Sequence, residues 1–134
     1  MKNLIKISLI VVVALFVSSC AGPFTIDDNG KTVNLTIDDP FEIDLAGNAS
    51  TGYSWQILPY DSTVIKQVGK PEFKSNDSGA VGSGGIITFK FQTVADGQTN
   101  LRMVYGRKWE QNVPAAKSFE MKIVVGTMGR ILEN

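Results

Sequence analysis

From Thr32 onward the chain alternates between apolar and polar positions. Val33, Leu35 and Ile37 share one side and Thr32, Asn34 and Thr36 the other, which is the period of a half-buried strand. Asp38-Asp39-Pro40 reads as a turn, and Phe41, Ile43 and Leu45 form a second alternating set. The polar run GNASTG interrupts. Tyr53, Trp55 and Ile57 then resume the alternation until Pro59 closes it. Val64 to Val68 and Glu72 to Lys74 are shorter strand candidates around Gly69 and Pro71. Residues 75 to 85, SNDSGAVGSGG, have turn chemistry throughout. Ile87, Phe89 and Phe91 alternate next, Ala95-Asp96-Gly97 reads as a compact hairpin, and Leu101, Met103 and Tyr105 alternate again. A long loop is expected over 106–117, followed by a last strand carrying Phe119, Met121, Ile123 and Val125.

No window sustains a helical period. Seven or eight short strands in about a hundred residues predict an all-β, antiparallel sandwich. Trp55 on the third strand suits an immunoglobulin-like core. Its packing partners there must be aliphatic, because the chain has a single cysteine, Cys20, and so no internal disulfide.

The first nineteen residues stand apart from this pattern. Lys2 and Lys6 give a positive start, Ile7 to Val17 is interrupted only by Ser8, and Val17-Ser18-Ser19-Cys20 ends the segment in small residues. The apolar stretch is short for a permanent membrane span and suits a signal-peptide core. The ending resembles the bacterial lipobox, in which the cysteine becomes the acylated first residue of the mature chain. The expected organisation is a lipoprotein signal peptide over 1–19, a polar tether over 20–31, one sandwich domain over 32–126 and a C-terminal tail over 127–134. The expected location is the bacterial cell envelope, at the periplasmic face or the cell surface. Acyl chains on Cys20 would supply the membrane attachment.

Charge and composition narrow the chemistry. Removing Lys2 and Lys6 from thirteen basic residues leaves eleven against thirteen acidic ones, a formal charge of −2. That gives no field to gather nucleic acid. Histidine is absent, which removes the usual general base and the commonest metal ligand. Asp27-Asp28 and Asp38-Asp39 read as turn residues. The composition therefore argues against an enzyme, and neither a metal nor a cofactor is expected.

Three stretches remain: GNASTGYSW between the second and third strands, GAVGSGG before the Phe-rich strand, and YGRKWE after Tyr105. In an immunoglobulin-like sandwich, loops joining alternate strand pairs gather at one end, so the BC, DE and FG loops would lie side by side. The three stretches resemble the chagasin-type inhibitors of papain-like cysteine proteases, which carry an NPTTG loop before an aromatic strand, a GxGG loop, and an RPW loop after a tyrosine-ending strand. Here the first is Asn48-Ala49-Ser50-Thr51-Gly52, the second Gly82-Ser83-Gly84-Gly85 and the third Arg107-Lys108-Trp109. Their order and spacing fit over nearly all of residues 33 to 125.

The resemblance implies a tight, reversible inhibitor, acting as a monomer, whose partner is a papain-like cysteine protease. It places Thr51 nearest the protease nucleophile, with Asn48 bracing the loop and Gly52 turning it back into the strand. Gly84 and Gly85 would let backbone approach backbone on the non-primed side. Trp109, with Arg107 adding a polar contact, would cover the primed side. Ala49 and Lys108 stand where the family has prolines, and each loss implies about 0.4–1 kcal/mol less preorganisation. The alternative reading is a lipid-anchored immunoglobulin-like adhesion or envelope-binding module without inhibitory activity.

Overall fold

The structure, a computed structural model, describes residues 22–76, 84–110, 112–126 and 131–133. The alternation becomes β1 (Thr32–Leu35), β2 (Pro40–Gly47), β3 (Tyr53–Ile57), β4 (Ile65–Gln67), β5 (Glu72–Ser75), β6 (Gly85–Thr93), β7 (Gly97–Arg107), β8 (Lys117–Val125) and β9 (Ile131–Glu133). One sheet runs β3-β7-β8-β1-β9. The other runs β2-β6-β4, with β5 also paired to β6. The pairs are antiparallel except β1 with β8, which run parallel.

Each strand buries one face, as a period of two requires. Val33, Leu35, Leu101, Met103, Phe119, Met121, Ile123 and Val125 line the first sheet, and Phe41, Ile43, Leu45, Ile65, Phe89 and Phe91 face them from the second. Phe41 stacks on its cross-strand neighbour Phe91 with centroids 5.4 Å apart. Trp55, for which aliphatic partners were expected, packs instead on the Tyr105 ring at 5.0 Å and donates its indole N–H to the Ala46 carbonyl at 2.9 Å, a bond that runs from one sheet to the other. Burying each large apolar side chain contributes about 1.5–3 kcal/mol, and that term holds the sandwich without a cross-link.

Several expectations are corrected. Ile37 does not continue β1. The strand ends at Leu35, Asp38 turns the chain with φ 60°, and Ile37 is left 46% exposed. The buried Thr93 hydroxyl fixes this turn by donating to the Thr36 carbonyl (2.5 Å) and accepting from the Asp39 N–H (2.7 Å). Ala95-Asp96-Gly97 is not a hairpin, because β6 and β7 lie in different sheets. It is a crossover, and Gly97 is needed there: its φ is 147° and an added Cβ would lie 2.9 Å from a Val64 methyl.

The expected tether is docked from Phe24 onward. Phe24 is buried and bridges Ile43 in parallel, donating to the Glu42 carbonyl and accepting from the Asp44 N–H. Thr25 and Asp28 then close a capping box around the 3-10 turn Ile26–Asp28. The tail also returns, since Ile131–Glu133 pairs with β1 and covers its otherwise open edge. The loop expected over 106–117 is shorter at both ends, because β7 reaches Arg107 and β8 begins at Lys117. Cys20 and the expected signal peptide lie outside the described residues. Among those described, no helix is long and apolar enough to cross a membrane.

Candidate functional site

Strand direction decides which connections become neighbours. At one pole β2 ends and β6 begins, with Gly47 paired to Gly85. At the same pole β3 begins and β7 ends, with Tyr53 paired to Arg107. The Trp55–Ala46 bond ties the two sheets together beside these ends. Residues 48–52, the stem of the glycine loop at Gly84, and residues 108–110 and 112–116 therefore form one edge of the molecule.

The first loop is held by its own side chains. Ala49–Thr51 is a 3-10 turn. The Asn48 carboxamide oxygen accepts from the Ser50 N–H at 3.1 Å and the Ser50 hydroxyl at 2.6 Å. The Thr51 hydroxyl donates to the Asn48 carbonyl at 2.7 Å and accepts from the Tyr53 N–H at 3.4 Å. Underneath, the buried Tyr105 presents its hydroxyl oxygen to the Asn48 N–H at 3.0 Å. Short polar side chains closing on local backbone make this a stiff projection. Through these bonds the Asn48 side chain ties the loop to its own backbone.

The third stretch leans on the first. Arg107 donates from Nε to the Thr51 carbonyl at 3.1 Å and from Nη1 to Glu110 at 2.9 Å, while its guanidinium lies 4.5 Å from the Tyr53 ring centroid. The hydrogen-bonded Glu110 carboxylate raises the Arg107 pKa above its already high ordinary value, so the clamp is permanently cationic. Trp109 is 68% exposed, yet one edge of its ring sits over Gly52. A Cβ on Gly52 would fall 2.2 Å from the indole, and Gly52 has φ 81°. Glycine is required at that position twice, by torsion and by space. Lys108 is exposed beside it.

Of the glycine loop, the described residues at the stem adjoin the first loop. Asn76 N–H donates to the Gly84 carbonyl at 3.1 Å, and a Cβ on Gly84 would lie 3.5 Å from the Gly47 carbonyl. Gly82 and Ser83 lie outside the described residues. Gly85 departs from the expected role. It is buried, and a Cβ there would meet the Lys74 carbonyl at 2.3 Å and the Phe73 ring at 2.7 Å. Its small size lets β5 pack on β6, an internal need.

Arg107 is likewise engaged within the molecule, where the sequence suggested a contact with a partner. Sequence reasoning placed Tyr105 and Glu110 only as neighbours of the motif, whereas here they are its supports. A tyrosine ending an alternating strand and an acid three residues after an arginine were the available signals.

The edge is convex. The crevice at its base, lined by Tyr53, Arg107, Glu110 and Val113, encloses about 40 Å³, far below the roughly 300 Å³ of a small ligand site. Among the described residues no group of three His, Cys, Asp or Glu could hold a metal ion. What the edge offers is a loop ordered by its own hydrogen bonds beside an exposed indole.

Comparison with known proteins agrees with this geometry. Amoebiasin-2 of Entamoeba histolytica is 28% identical over 99 residues, covering 73% of this chain and 80% of the relative. Amoebiasin-1 of the same organism is 29% identical over 103 residues, covering 75% and 96%. The crystal structure of a cysteine protease inhibitor from Entamoeba histolytica superposes with a TM-score of 0.69 at 25% identity, over 78% of this chain and 95% of that one. PbICP-C, solved in complex with falcipain-2, shares the fold at a TM-score of 0.53 and 20% identity, over 81% and 93%. The profile described as chagasin family peptidase inhibitor I42 matches residues 34–123. This chain, a two-sheet sandwich matched by the family profile over residues 34–123, belongs to the chagasin family of peptidase inhibitors.

Proposed function

We propose that this protein inhibits papain-like cysteine proteases by seating the 48–52 loop in the active-site cleft, flanked by the glycine loop and by Lys108-Trp109. One observation carries the reading: Trp109 stays two-thirds exposed although its ring edge rests on Gly52, so the first and third loops make one continuous projecting surface. Such a cleft holds a thiolate and an imidazolium at its centre. Thr51 is exposed in the first loop, and its hydroxyl and carbonyl are both fixed before any partner arrives. A loop that is already ordered loses little entropy on docking.

The wedge excludes substrate by occupancy, and inhibition requires no bond to be made or broken. Trp109 supplies the large aromatic contact that dominates such interfaces. Arg107 acts as a positioning residue that joins the two loops, and Gly82 and Ser83 enter the contact surface through the family motif. The Ser18-Ser19-Cys20 ending supports acylation of Cys20 and attachment to a bacterial envelope membrane.

Titration of papain with the chain from Ala21 onward tests the reading. Residual activity should fall linearly to an equivalence point; Trp109→Ala should raise Ki without lowering the melting temperature, and Thr51→Ala should raise Ki and lower the melting temperature slightly through loss of its hydroxyl bonds. A flat titration refutes inhibition and leaves the adhesion reading in its place.

A further inference from the structure

We infer that the protease this edge fits carries an acidic rim around its cleft, because the edge is the cationic pole of a molecule whose opposite pole is acidic. The inference rests on the proposed function and deepens it by naming the charge of the partner surface. Lys108 stands in the third stretch, Lys117 opens β8 opposite Tyr105, and Lys74 pairs with Ile86, one position inside the Gly85 end of β6. All three are exposed, and none has a salt-bridge partner among the described residues. Lys117 lies over the Tyr105 ring at 5.6 Å, and so rests on the residue that supports Asn48. Arg107 and Glu110 cancel within their own ion pair, and the 48–52 loop carries no charge. Asp77 of the glycine stretch lies outside the described residues. Even with Asp77 counted against it, the edge holds Lys74, Arg107, Lys108 and Lys117 against Glu110 and Asp77, four cations less two anions, or +2.

The other pole has the reverse balance. Asp38 and Asp39 lie in the turn into β2, and Asp96 lies in the crossover before β7. Asp61 donates its backbone N–H to the Thr99 hydroxyl beside the start of β7. Against these four carboxylates stands Lys66, paired with Gln92 near the end of β6, which leaves −3. β2 spans eight residues at about 3.3 Å each, so the two poles stand about 26 Å apart. Charge is screened over about 10 Å at 0.1 M salt, so a partner at the wedge meets the field of the lysines and not that of the aspartates. Lys108 gives up the stiffness that a proline would bring to the third stretch and sets a cation beside Trp109. A neutral or basic rim gains nothing from that exchange. An acidic rim is drawn to the edge before contact and pairs with Lys108 and Lys117 on docking.

One protease in three charge states provides the test. Succinylation of papain turns each modified lysine from a cation into a carboxylate, and acetylation neutralises the same lysines as a control for the modification itself. Association rate constants are measured for the chain from Ala21 onward with each form that retains activity on a small substrate. In 0.1 M NaCl succinylated papain should associate at least about tenfold faster than untreated papain, with the acetylated form between them. In 1 M NaCl, where screening acts within about 3 Å, the three should agree within about twofold. Lys108→Gln with Lys117→Gln should shrink the tenfold gap to about threefold or less. Asp38→Asn with Asp96→Asn alters the net charge by as much in the other direction, at the far pole, and should leave the gap as it was. Equal rates for the three forms in 0.1 M NaCl overturn the inference while inhibition stands. So does a gap that the lysine pair leaves intact, or one that the aspartate pair changes equally. If no form of papain is inhibited, the proposed function fails and this inference falls with it.

Discussion

Gly52→Ala separates the geometry of the wedge from its backbone. Gly52 has φ 81°, and alanine in the left-handed region costs roughly 1–2 kcal/mol. Gly69 provides the control: its φ is 71° with nothing within 4 Å of an added Cβ, so Gly69→Ala carries the same torsional strain alone. At about 4–8 °C per kcal/mol for a domain near a hundred residues, both variants should melt lower by similar amounts. Only Gly52→Ala places a methyl 2.2 Å from the Trp109 ring, which must swing away.

Displacing an aromatic anchor costs about 2 kcal/mol or more of binding, so Ki of Gly52→Ala should rise at least about 25-fold while Gly69→Ala matches the unaltered protein. The assay is tight-binding titration of papain below the melting range of all variants, repeated in a Trp109→Ala background. There Gly52→Ala should add little, because the ring it displaces is already gone. Equal Ki for Gly52→Ala and Gly69→Ala, or full additivity with Trp109→Ala, would refute the argument that Gly52 acts through the indole.

Three further substitutions address the supports of the wedge. Tyr105→Phe removes the oxygen that accepts from Asn48 N–H, and the net loss should be about 0.5–1.5 kcal/mol of stability, with faster amide exchange at Asn48 by NMR. Ala49→Pro puts a preset φ at the first position of the 3-10 turn and should tighten inhibition about two- to fivefold, from about 0.4–1 kcal/mol of loop entropy. A weaker Ki would show that the turn rejects the ring. Arg107→Lys keeps a cation but loses the Nε–H bond to Thr51 and the flat contact with Tyr53. It should raise Ki with little change in melting temperature, and an unchanged Ki would assign Arg107 to solubility alone.

Much of the fold was written in the period of the sequence. The sets Phe41-Ile43-Leu45, Leu101-Met103-Tyr105 and Phe119-Met121-Ile123 each took the predicted side of a strand, because burial of one face needs only local alternation. The three motif stretches were legible as well, since glycine, asparagine and tryptophan in a fixed order at strand ends are rare by chance. Ile37 misled because alternation alone does not reveal where a ladder loses its partner. Ala95-Asp96-Gly97 misled because a short turn looks alike whether it pairs two strands or passes between sheets.

The roles of individual residues required the third dimension. Gly52 could be assigned its torsion from the motif, but its contact with Trp109 spans 57 positions of chain and exists only because β3 and β7 pair at Tyr53 and Arg107. Gly85 and Arg107 carried the family's motif, yet their neighbours Lys74, Phe73, Thr51 and Glu110 turn them inward. Local sequence dictated strands, turns and the part of the first loop's stiffness that comes from its own side chains, whose bonds join residues at most three apart. Which loops share an edge followed from strand order and direction, and those are set by long-range pairing that no short window of sequence contains.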